Sequence, residues 1–300
     1  MAADATVRAG RRAVAISHPD RVLFPAPPVT KLALARYYAT VAPAMVPHVR
    51  DRPLSLQAFP DGIEEPGFFL KRVPRHFPDW VARATVPMRG GTITHVVAND
   101  AATLVYLAGQ NVVTPHAFLS RADRPHHPDR LTFDLDPAPG ATFATVRAAA
   151  LAAGDRLRDA GLRPYAMTTG SRGVHVVCPL RRGADFETAH AWARALAERM
   201  VEADPAHLTL VWRTAERGPR VYLDVNRIGY AQTAVAPYAV RPRPGAPVAM
   251  PLRWEELEDR RLRPDRWTVR TAPARLADEG DAWATIRRDA RALPRTPPAS

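Results

Sequence analysis

The sequence predicts an α+β (mixed α/β) fold. Strand-like and helix-like patterns are interleaved along the chain, which favours layers of sheet and helix over a single type of element. The hydrophobic fraction of 46% can supply a sizeable core. With 300 residues the chain is long enough for one large unit or two modest domains. There is no internal repeat, and no stretch approaches the ~18 consecutive apolar residues of a membrane span.

The two ends and one internal run have compositions typical of irregular structure. Residues 1–12 are predicted to form a flexible basic N-terminal tail, and residues 291–300 a flexible C-terminal tail. The proline-rich run at 241–251 is predicted to be an ordered loop, because strongly patterned sequence lies on both sides of it. No linker interrupts residues 13–290, which are predicted to form one domain.

The first regular elements are a helix and a strand–helix pair. Thr30 is a candidate N-cap for a helix over 32–41, which we expect to end near Pro43. Residues 94–97 are predicted to form a short strand, and 101–111 a helix.

The second half of the chain continues the alternation. Residues 130–135 alternate as a strand, and 145–160 form an amphipathic helix that Gly161 ends. The remaining predicted elements are a strand over 165–169, a turn at 170–173, a strand over 174–180, a helix over 187–203 and a strand over 220–226.

The charge balance points to a polyanionic partner. Lys and Arg total 42 against 30 Asp and Glu, a net charge of +12. Such an excess favours nucleic acid, although charge can also serve solubility alone. Lys31 and Lys71 are the only lysines, and every other basic residue apart from histidine is arginine. Either these two positions require a compact ammonium group in place of a planar guanidinium, or the two lysines are there by chance. The single Cys178 and the absence of a secretory signal predict a reducing, cytoplasmic compartment.

The sharpest local feature is the pair Asp134 and Asp136 within the strand TFDLDP. Residues two apart on a strand project to one face, so both carboxylates converge. A hard Mg²⁺ or Mn²⁺ ion would remove their repulsion, whereas a solvent-exposed turn is the plainer alternative. Asp224 ends another apolar strand and is a candidate third carboxylate for a two-metal site, or else a strand-end cap.

A second feature, TGSRGVH at 169–175, is a candidate phosphate loop. Small residues let backbone N–H groups approach an anion, and Arg172 adds a fork of donors. His175 begins an apolar strand, from which its side chain can reach the same phosphates. A hairpin with a satisfied histidine is the alternative.

Arginines and aromatic residues supply further candidates. Five arginines bracket Asp224 and can converge on phosphate, although roughly half are expected to be ordinary surface groups: Arg217, Arg220, Arg227, Arg241 and Arg243. Phe68 and Phe69 offer planar faces for base stacking, and core packing is the alternative.

Taken together, these segments resemble a known family. In order along the chain they are SHPDRVLFP…TK, PGFFLKR, HAFLSRADRPHHPDRLTFDLDP, TTGSRGVHVVCPL, YLDVNR and APYAVRPRPGAPVAMPLRWEEL. The set resembles the polymerase domain of bacterial ATP-dependent DNA ligase D, the primase-like polymerase of non-homologous end joining in the archaeo-eukaryotic primase superfamily. The resemblance implies a primase-like catalytic domain over 13–290, with mixed β-sheets flanked by helices and the active site in a central cleft.

The resemblance also implies roles for individual residues. The catalytic and metal-binding set, for two Mn²⁺ or Mg²⁺ ions, is Asp134, Asp136 and Asp224. The nucleotide-binding set is Lys71, His116, Thr169, Ser171, Arg172, His175, Arg217, Arg227 and Arg241. The set implied to grip DNA and its 5′-phosphate is His18, Arg21, Lys31, Phe68 and Phe69. The chain departs from the family pattern at His18, Arg21, Ala117 and Thr169 but keeps every metal ligand.

The resemblance implies templated gap filling and end extension with NTP or dNTP at double-strand breaks. The implied partners are DNA ends, Ku and a separate ATP-dependent DNA ligase, with the chain a stand-alone monomer in the cytoplasm at the nucleoid. Two alternatives stay open: a primase that starts chains de novo, and a catalytically idle DNA-end binding module. A metal-dependent glycosyltransferase also uses paired aspartates, but it explains neither the basic excess nor the TGSRGVH loop.

Overall fold

The computed structural model describes residues 4–298, and the mixed α+β class is confirmed within them. The elements in chain order are β1 Ala5–Ala9, β2 Arg12–Ile16, β3 Val22–Pro25, β4 Pro28–Thr30, α1 Lys31–Val49, β5 Leu54–Ala58, β6 Phe68–Leu70, β7 Arg83–Met88, β8 Gly91–Val96, α2 Ala101–Gly109, β9 Val112–Phe118, β10 Arg130–Pro137, α3 Phe143–Asp159, β11 Tyr165–Thr168, β12 Val174–Pro179, α4 Phe186–Ala203, β13 Leu208–Thr209, β14 Val221–Asp224, β15 Thr233–Val235, β16 Pro251–Leu252 and α5 Ala272–Glu279. Short 3-10 helices cover Thr214–Glu216 and Trp254–Glu258.

The chain divides into two compact units. The first contains the chain up to Asp123 with Thr233–Met250 and Trp267–Asp281. The second contains Arg124–Gln232, Pro251–Arg266 and the chain from Ala282 onward. Each unit therefore draws on three chain segments, and no single linker separates them. The single catalytic domain over 13–290 stays a prediction, and the described chain forms two compact units within that range and beyond it.

The first unit is built on an antiparallel sheet in the order β15-β9-β5-β8-β7, with β6 also paired to β5. Helices α1 and α2 pack together, and the β1–β2 hairpin packs against both. The flexible tail predicted over 1–12 is therefore wrong for residues 5–12, because Val7 and Val14 pair across the hairpin and bury their side chains. Residues 1–3 lie outside the described part of the chain.

Helix α1 begins as predicted and ends later. The Thr30 side chain accepts a hydrogen bond from Ala33 N at 3.1 Å, which confirms the N-cap. The predicted end near Pro43 is wrong, since the helix continues to Val49 with Pro43 and Pro47 inside it. An interior proline costs about 3 kcal/mol. The burial of Val41, Met45 and Val49 offsets that cost.

The second unit is built on a sheet in the order β13-β14-β10-β12-β11-β16. All its pairings are antiparallel except β13 with β14. Helix α3 begins after the N-cap Thr142 and is followed by Gly161, whose φ is +75°. Asp185 caps α4 by accepting from Thr188 N at 2.8 Å. These caps set the ends of two helices, which contact strands of the sheet.

The predicted C-terminal tail is also wrong where it is described. Arg291 pairs with Leu180 in an isolated parallel bridge. The Arg199 side chain donates to the Pro297 carbonyl at 2.7 Å. These contacts attach the segment from 291 to 298 to the second unit, and residues 299–300 lie outside the described part.

The proline-rich run is an ordered loop, as predicted. Val240 pairs with Val248, and Arg241 N donates to Pro247 O at 2.7 Å. Across residues 4–298, none of the helices has the length and apolar character needed to span a bilayer.

Candidate active site

Three aspartates share one face of the sheet in the second unit. In the antiparallel pair of β10 and β14, Asp134 lies directly opposite Asp224. Asp136 lies two residues along β10, so its side chain projects to the same face as that of Asp134. The intervening Leu135 and Leu223 project to the opposite face and are fully buried. The alternation of apolar and acidic residues therefore separates a core face from a carboxylate face.

Two arginines contact the Asp136 carboxylate. Arg172 Nη2 lies 3.2 Å from Asp136 Oδ1, and Arg217 Nη1 lies 3.1 Å from Asp136 Oδ2. Arg217 is 6% exposed, and its other guanidinium nitrogens donate to the carbonyls of Val211 at 3.0 Å and Trp212 at 2.6 Å. It therefore connects the loop that precedes β14 to the carboxylate face.

The other two carboxylates share one arginine. Arg227 Nε lies 3.4 Å from Asp224 Oδ2 and 3.8 Å from Asp134 Oδ2. The buried His175 lies opposite Asp134 in the pairing of β10 and β12, with its Nε2 3.4 Å from Asp134 Oδ1. Each predicted acid is thus within reach of a predicted nucleotide-binding side chain.

Asp224 has a raised pKa, chiefly because it is buried. Burial raises its pKa above the ordinary value, and the Asp134 carboxylate raises it further. Arg227 and the backbone N–H of Asn226 oppose this shift by stabilising the charged form. The pKa nevertheless stays raised, because the effect of burial is the largest of these.

The donor set fits a hard divalent cation by its chemistry, since it consists of carboxylate oxygens on one face. Among the residues that the structure describes, no three His, Cys, Asp or Glu side chains converge closely enough to enclose one ion. In this arrangement the Asp136 carboxylate contacts guanidinium groups instead.

The TGSRG turn lies against β10. Thr169 N donates to Gly173 O at 3.0 Å, and Gly173 N donates to Thr169 Oγ1 at 3.2 Å, which closes the turn. Gly170 has a φ of +63°. A Cβ on Gly173 would lie 2.2 Å from the Leu135 carbonyl oxygen, so only glycine allows this approach. The turn carries Ser171 and the exposed Arg172 beside the carboxylate face.

The first unit holds the other nucleotide-binding candidates. Phe68 and Phe69 on β6 are 47% and 52% exposed, so they are not core residues. The Phe69 ring meets the His116 ring edge-on, with centroids 5.5 Å apart. Lys71 follows β6 and is exposed, and Arg241 lies in the ordered loop. Aromatic and cationic groups therefore line the β6–β5–β9 part of the sheet.

A cationic corner forms at the start of α1 from His18, Arg21 and Lys31. Backbone hydrogen bonds join the three, from Arg21 N to His18 O at 3.1 Å and from Lys31 N to Arg21 O at 2.8 Å. Lys31 is 4% exposed, and its Nζ donates to Ser17 Oγ at 3.3 Å. Burial, followed by the charge of Arg21, lowers the pKa of Lys31, and the Asp4 carboxylate opposes this shift. The corner therefore concentrates positive charge.

Sequence reasoning missed two residues that contact Asp224. Tyr222 OH donates to Asp224 Oδ1 at 3.3 Å, and Asn226 Nδ2 donates to Tyr222 OH at 2.8 Å. The available signal is spacing alone, since Tyr222 precedes Asp224 by two residues on one strand face. The candidate Arg220 instead donates to the Arg217 carbonyl at 2.6 Å.

The comparison with family models decides the classification. Residues 30–283 match the model described as "LigD, primase-polymerase domain". The chain belongs to this family. The predicted family and the predicted class of enzyme, a nucleotidyltransferase, are thereby confirmed.

Curated relatives in this family are longer proteins. The multifunctional non-homologous end joining DNA repair protein LigD of Mycobacterium tuberculosis H37Rv is 33% identical over 290 residues, which cover 94% of this chain and 38% of the relative. LigD of Pseudomonas aeruginosa is 29% identical over 279 residues, which cover 92% of this chain and 33% of the relative. The chain therefore spans 38% of the length of the first relative and 33% of the length of the second.

A solved structure is similar over nearly its whole length. The polymerase domain from Mycobacterium tuberculosis ligase D, in complex with DNA, matches with a TM-score of 0.87 and 32% identity. The match covers 92% of this chain and 99% of that domain. The arrangement of sheets and helices is therefore that of a LigD polymerase domain.

Proposed function

We propose that the chain is a DNA-directed polymerase of non-homologous end joining that fills gaps and extends ends on a template, using NTP or dNTP. The observation that carries this proposal is the register of β10 and β14, which sets Asp134 opposite Asp224 with Asp136 on the same face. Three carboxylates from two strands are the donor set that two-metal nucleotidyl transfer requires.

Asp134, Asp136 and Asp224 would hold the Mn²⁺ or Mg²⁺ ions. When bound, such ions lower the pKa of an attacking hydroxyl and stabilise a leaving pyrophosphate. The arginines that now contact these carboxylates then become available to a phosphate, since guanidinium binds both anions through similar paired hydrogen bonds.

The side chains around the carboxylate face are suited to hold a triphosphate. Arg172 and His175 donate from the TGSRG turn and strand β12, and Arg217 and Arg227 donate from the loops that flank β14. Held there, the α-phosphorus accepts a bond from the primer 3′-oxygen while its bond to the β-phosphate oxygen breaks. Pyrophosphate leaves, and the hydroxyl proton passes to solvent.

The first unit is suited to bind the DNA and the base. The exposed rings of Phe68 and Phe69 present faces for stacking on a template base. Lys71, His116 and Arg241 would contact the incoming nucleotide. The cationic corner of His18, Arg21 and Lys31 would bind the 5′-phosphate of a gapped or recessed end. Ku and an ATP-dependent ligase are the proposed partners at a break in the bacterial nucleoid.

Primer extension on a gapped duplex with a 5′-phosphate tests the proposal. We expect the wild-type protein with Mn²⁺ to add the templated nucleotide, and Asp134→Ala to add none. The same duplex without a 3′-hydroxyl primer separates a primase, which would start chains on the single-stranded template. If the wild type and Asp134→Ala both leave the primer unchanged while binding the duplex equally, the chain is a DNA-end binding module and the proposal is wrong.

A further inference from the structure

Tyr222 lies at the centre of the carboxylate face. In the pairing of β14 with β10 it lies directly opposite Asp136, and it precedes Asp224 by two residues, so its side chain shares their face. It is 5% exposed, which fixes its ring among the neighbouring side chains. From this position the hydroxyl of Tyr222 can reach Asp224, and its ring can contact an arginine that binds Asp136.

The hydroxyl of Tyr222 has a defined direction. Asn226 Nδ2 donates to Tyr222 Oη at 2.8 Å, and Tyr222 Oη lies 3.3 Å from Asp224 Oδ1. Because the amide supplies one proton to the hydroxyl oxygen, the hydroxyl's own proton is directed to the carboxylate. The same Oδ1 also accepts from Asn226 N at 2.9 Å. Two donors therefore hold one oxygen of Asp224 and leave Oδ2 on the side of Arg227.

The ring of Tyr222 supports the second carboxylate indirectly. The guanidinium carbon of Arg217 lies 4.1 Å from the ring centroid, a cation–π contact, and Arg217 Nη1 contacts Asp136 Oδ2 at 3.1 Å. One side chain thus supports Asp224 through its hydroxyl and Asp136 through Arg217.

We propose that Tyr222 is a positioning residue that, with Asn226, fixes the Asp224 carboxylate relative to Asp136 and thereby sets the affinity of the site for a divalent cation. Groups that hydrogen-bond metal ligands orient them, and their loss commonly weakens metal binding by about 10-fold to 100-fold. The inference rests on the proposed function in requiring a cation at the aspartates. It does not depend on which nucleic acid the protein extends.

The test measures binding of Mn²⁺ alone to the full chain, by electron paramagnetic resonance of the free ion. Tyr222→Phe keeps the ring and its contact with Arg217 but removes the hydroxyl, and we expect the Kd for Mn²⁺ to rise about 10-fold. Tyr165→Phe is the matched control, because Tyr165 OH donates to the Asp289 carboxylate at 2.5 Å in the same unit. We expect its Kd to equal that of the wild type.

A double-variant cycle separates positioning from general loosening of the sheet. Asn226→Ala should weaken Mn²⁺ binding by a smaller factor, about 3-fold, because it frees the hydroxyl without removing it. If Asn226 acts through Tyr222, adding Asn226→Ala to Tyr222→Phe changes the Kd no further. In primer extension, Tyr222→Phe should raise the Mn²⁺ concentration for half-maximal rate while leaving the KM for the nucleotide unchanged.

Three results would contradict the role of Tyr222, and a fourth would contradict only the polymerase function. An unchanged Kd in Tyr222→Phe, an equal loss in Tyr165→Phe, or a wild type that binds no Mn²⁺ at millimolar concentration would each overturn the inference. A wild type that binds Mn²⁺ but extends no primer contradicts the proposed polymerase function alone. The comparison of Kd values then still decides the role of Tyr222.

Discussion

The carboxylate face of the second unit and the cationic corner of the first concentrate charge of opposite sign, and they balance it differently. At the carboxylate face, arginines from neighbouring loops already contact the acids at 3.1–3.8 Å. At the corner, the Lys31 ammonium donates to the neutral hydroxyl of Ser17, and Arg21 adds a like charge that Asp4 offsets only in part. Burial contributes to the pKa shift in both, upward for Asp224 and downward for Lys31.

This difference indicates how each region would bind its ligand. A cation at the aspartates must compete with resident guanidinium groups, which can then turn to phosphate. An anion at the corner meets an ammonium group already held beside a helix N-terminus, where negative charge is favoured. When a cation binds, the carboxylate face therefore exchanges its arginine partners for the ion. When a phosphate binds, the cationic corner gains an anionic partner without losing one.

The largest expected effect is at the carboxylate face. Asp224→Asn keeps the shape of the side chain and removes the charge, so we expect primer extension to fall at least about 1000-fold. Binding of a 5′-phosphorylated duplex should change little, because the cationic corner is intact. Asp259→Asn, an acid of the same unit that pairs with Arg261 and Arg266, is the control. Substantial extension by Asp224→Asn would remove Asp224 from the catalytic set.

The second largest expected effect is on phosphate binding at the cationic corner. Lys31→Met keeps an unbranched side chain and removes the ammonium group, so we expect the preference for a 5′-phosphate over a 5′-hydroxyl to fall about 10-fold or more. The measurement is the ratio of the two Kd values by fluorescence anisotropy at one salt concentration. Arg36→Met removes an exposed cation from the same helix and should lower both affinities without altering the ratio. A ratio unchanged by Lys31→Met places the phosphate elsewhere.

A smaller effect is expected from the exposed aromatic pair. Phe69→Ala should weaken binding of a gapped template by about 10-fold, since stacking on one base contributes about 1–3 kcal/mol. Phe69→Trp should retain binding because it keeps a planar face. The melting temperature should stay within about 2 °C of the wild type, because the ring is half exposed. Loss of stability without loss of template binding would make Phe69 a structural residue.

The sequence predicts elements better than it predicts their ends and their grouping. The caps at Thr30 and Gly161 and the alternation around Asp134 are local signals, and the structure has all three. The end of α1 depends on tertiary burial around Pro43, which a local proline rule does not contain. The division into two units escapes the sequence because each unit combines three separated segments.

In the candidate site, too, the sequence predicts local features but not which residues the fold brings together. The spacing of Asp134 and Asp136 predicts one shared face, but only the register of β10 with β14 places Asp224 opposite. Its place at the end of an apolar strand makes Asp224 a candidate third acid, and the family resemblance assigns it to the metal-binding set. Tyr222 and Asn226 carried no recognisable motif, because a hydrogen bond to a carboxylate leaves no mark in composition or periodicity. Residues that support others are therefore found from geometry.

The smallest expected effect is that of Lys31 on the thermal stability of the fold. Because its pKa is lowered in the folded state, protonated Lys31 opposes folding, and the penalty is fully present below the folded pKa. The penalty fades as the pH rises through that value toward the ordinary pKa of 10.5. Lys31→Met should therefore raise the melting temperature at pH 7 by about 2 °C, and by less at pH 10.

Thermal melts at the two pH values, with Arg36→Met as the reference, measure this difference. A lower melting temperature in Lys31→Met would mean that the bond to Ser17 stabilises the fold and that the corner is structural. A higher melting temperature together with a lost phosphate preference would identify an ammonium group retained at a cost in stability. Opposite signs in one variant are what a binding residue predicts, because a charge that is retained for its ligand at a cost in stability leaves a more stable protein when it is removed.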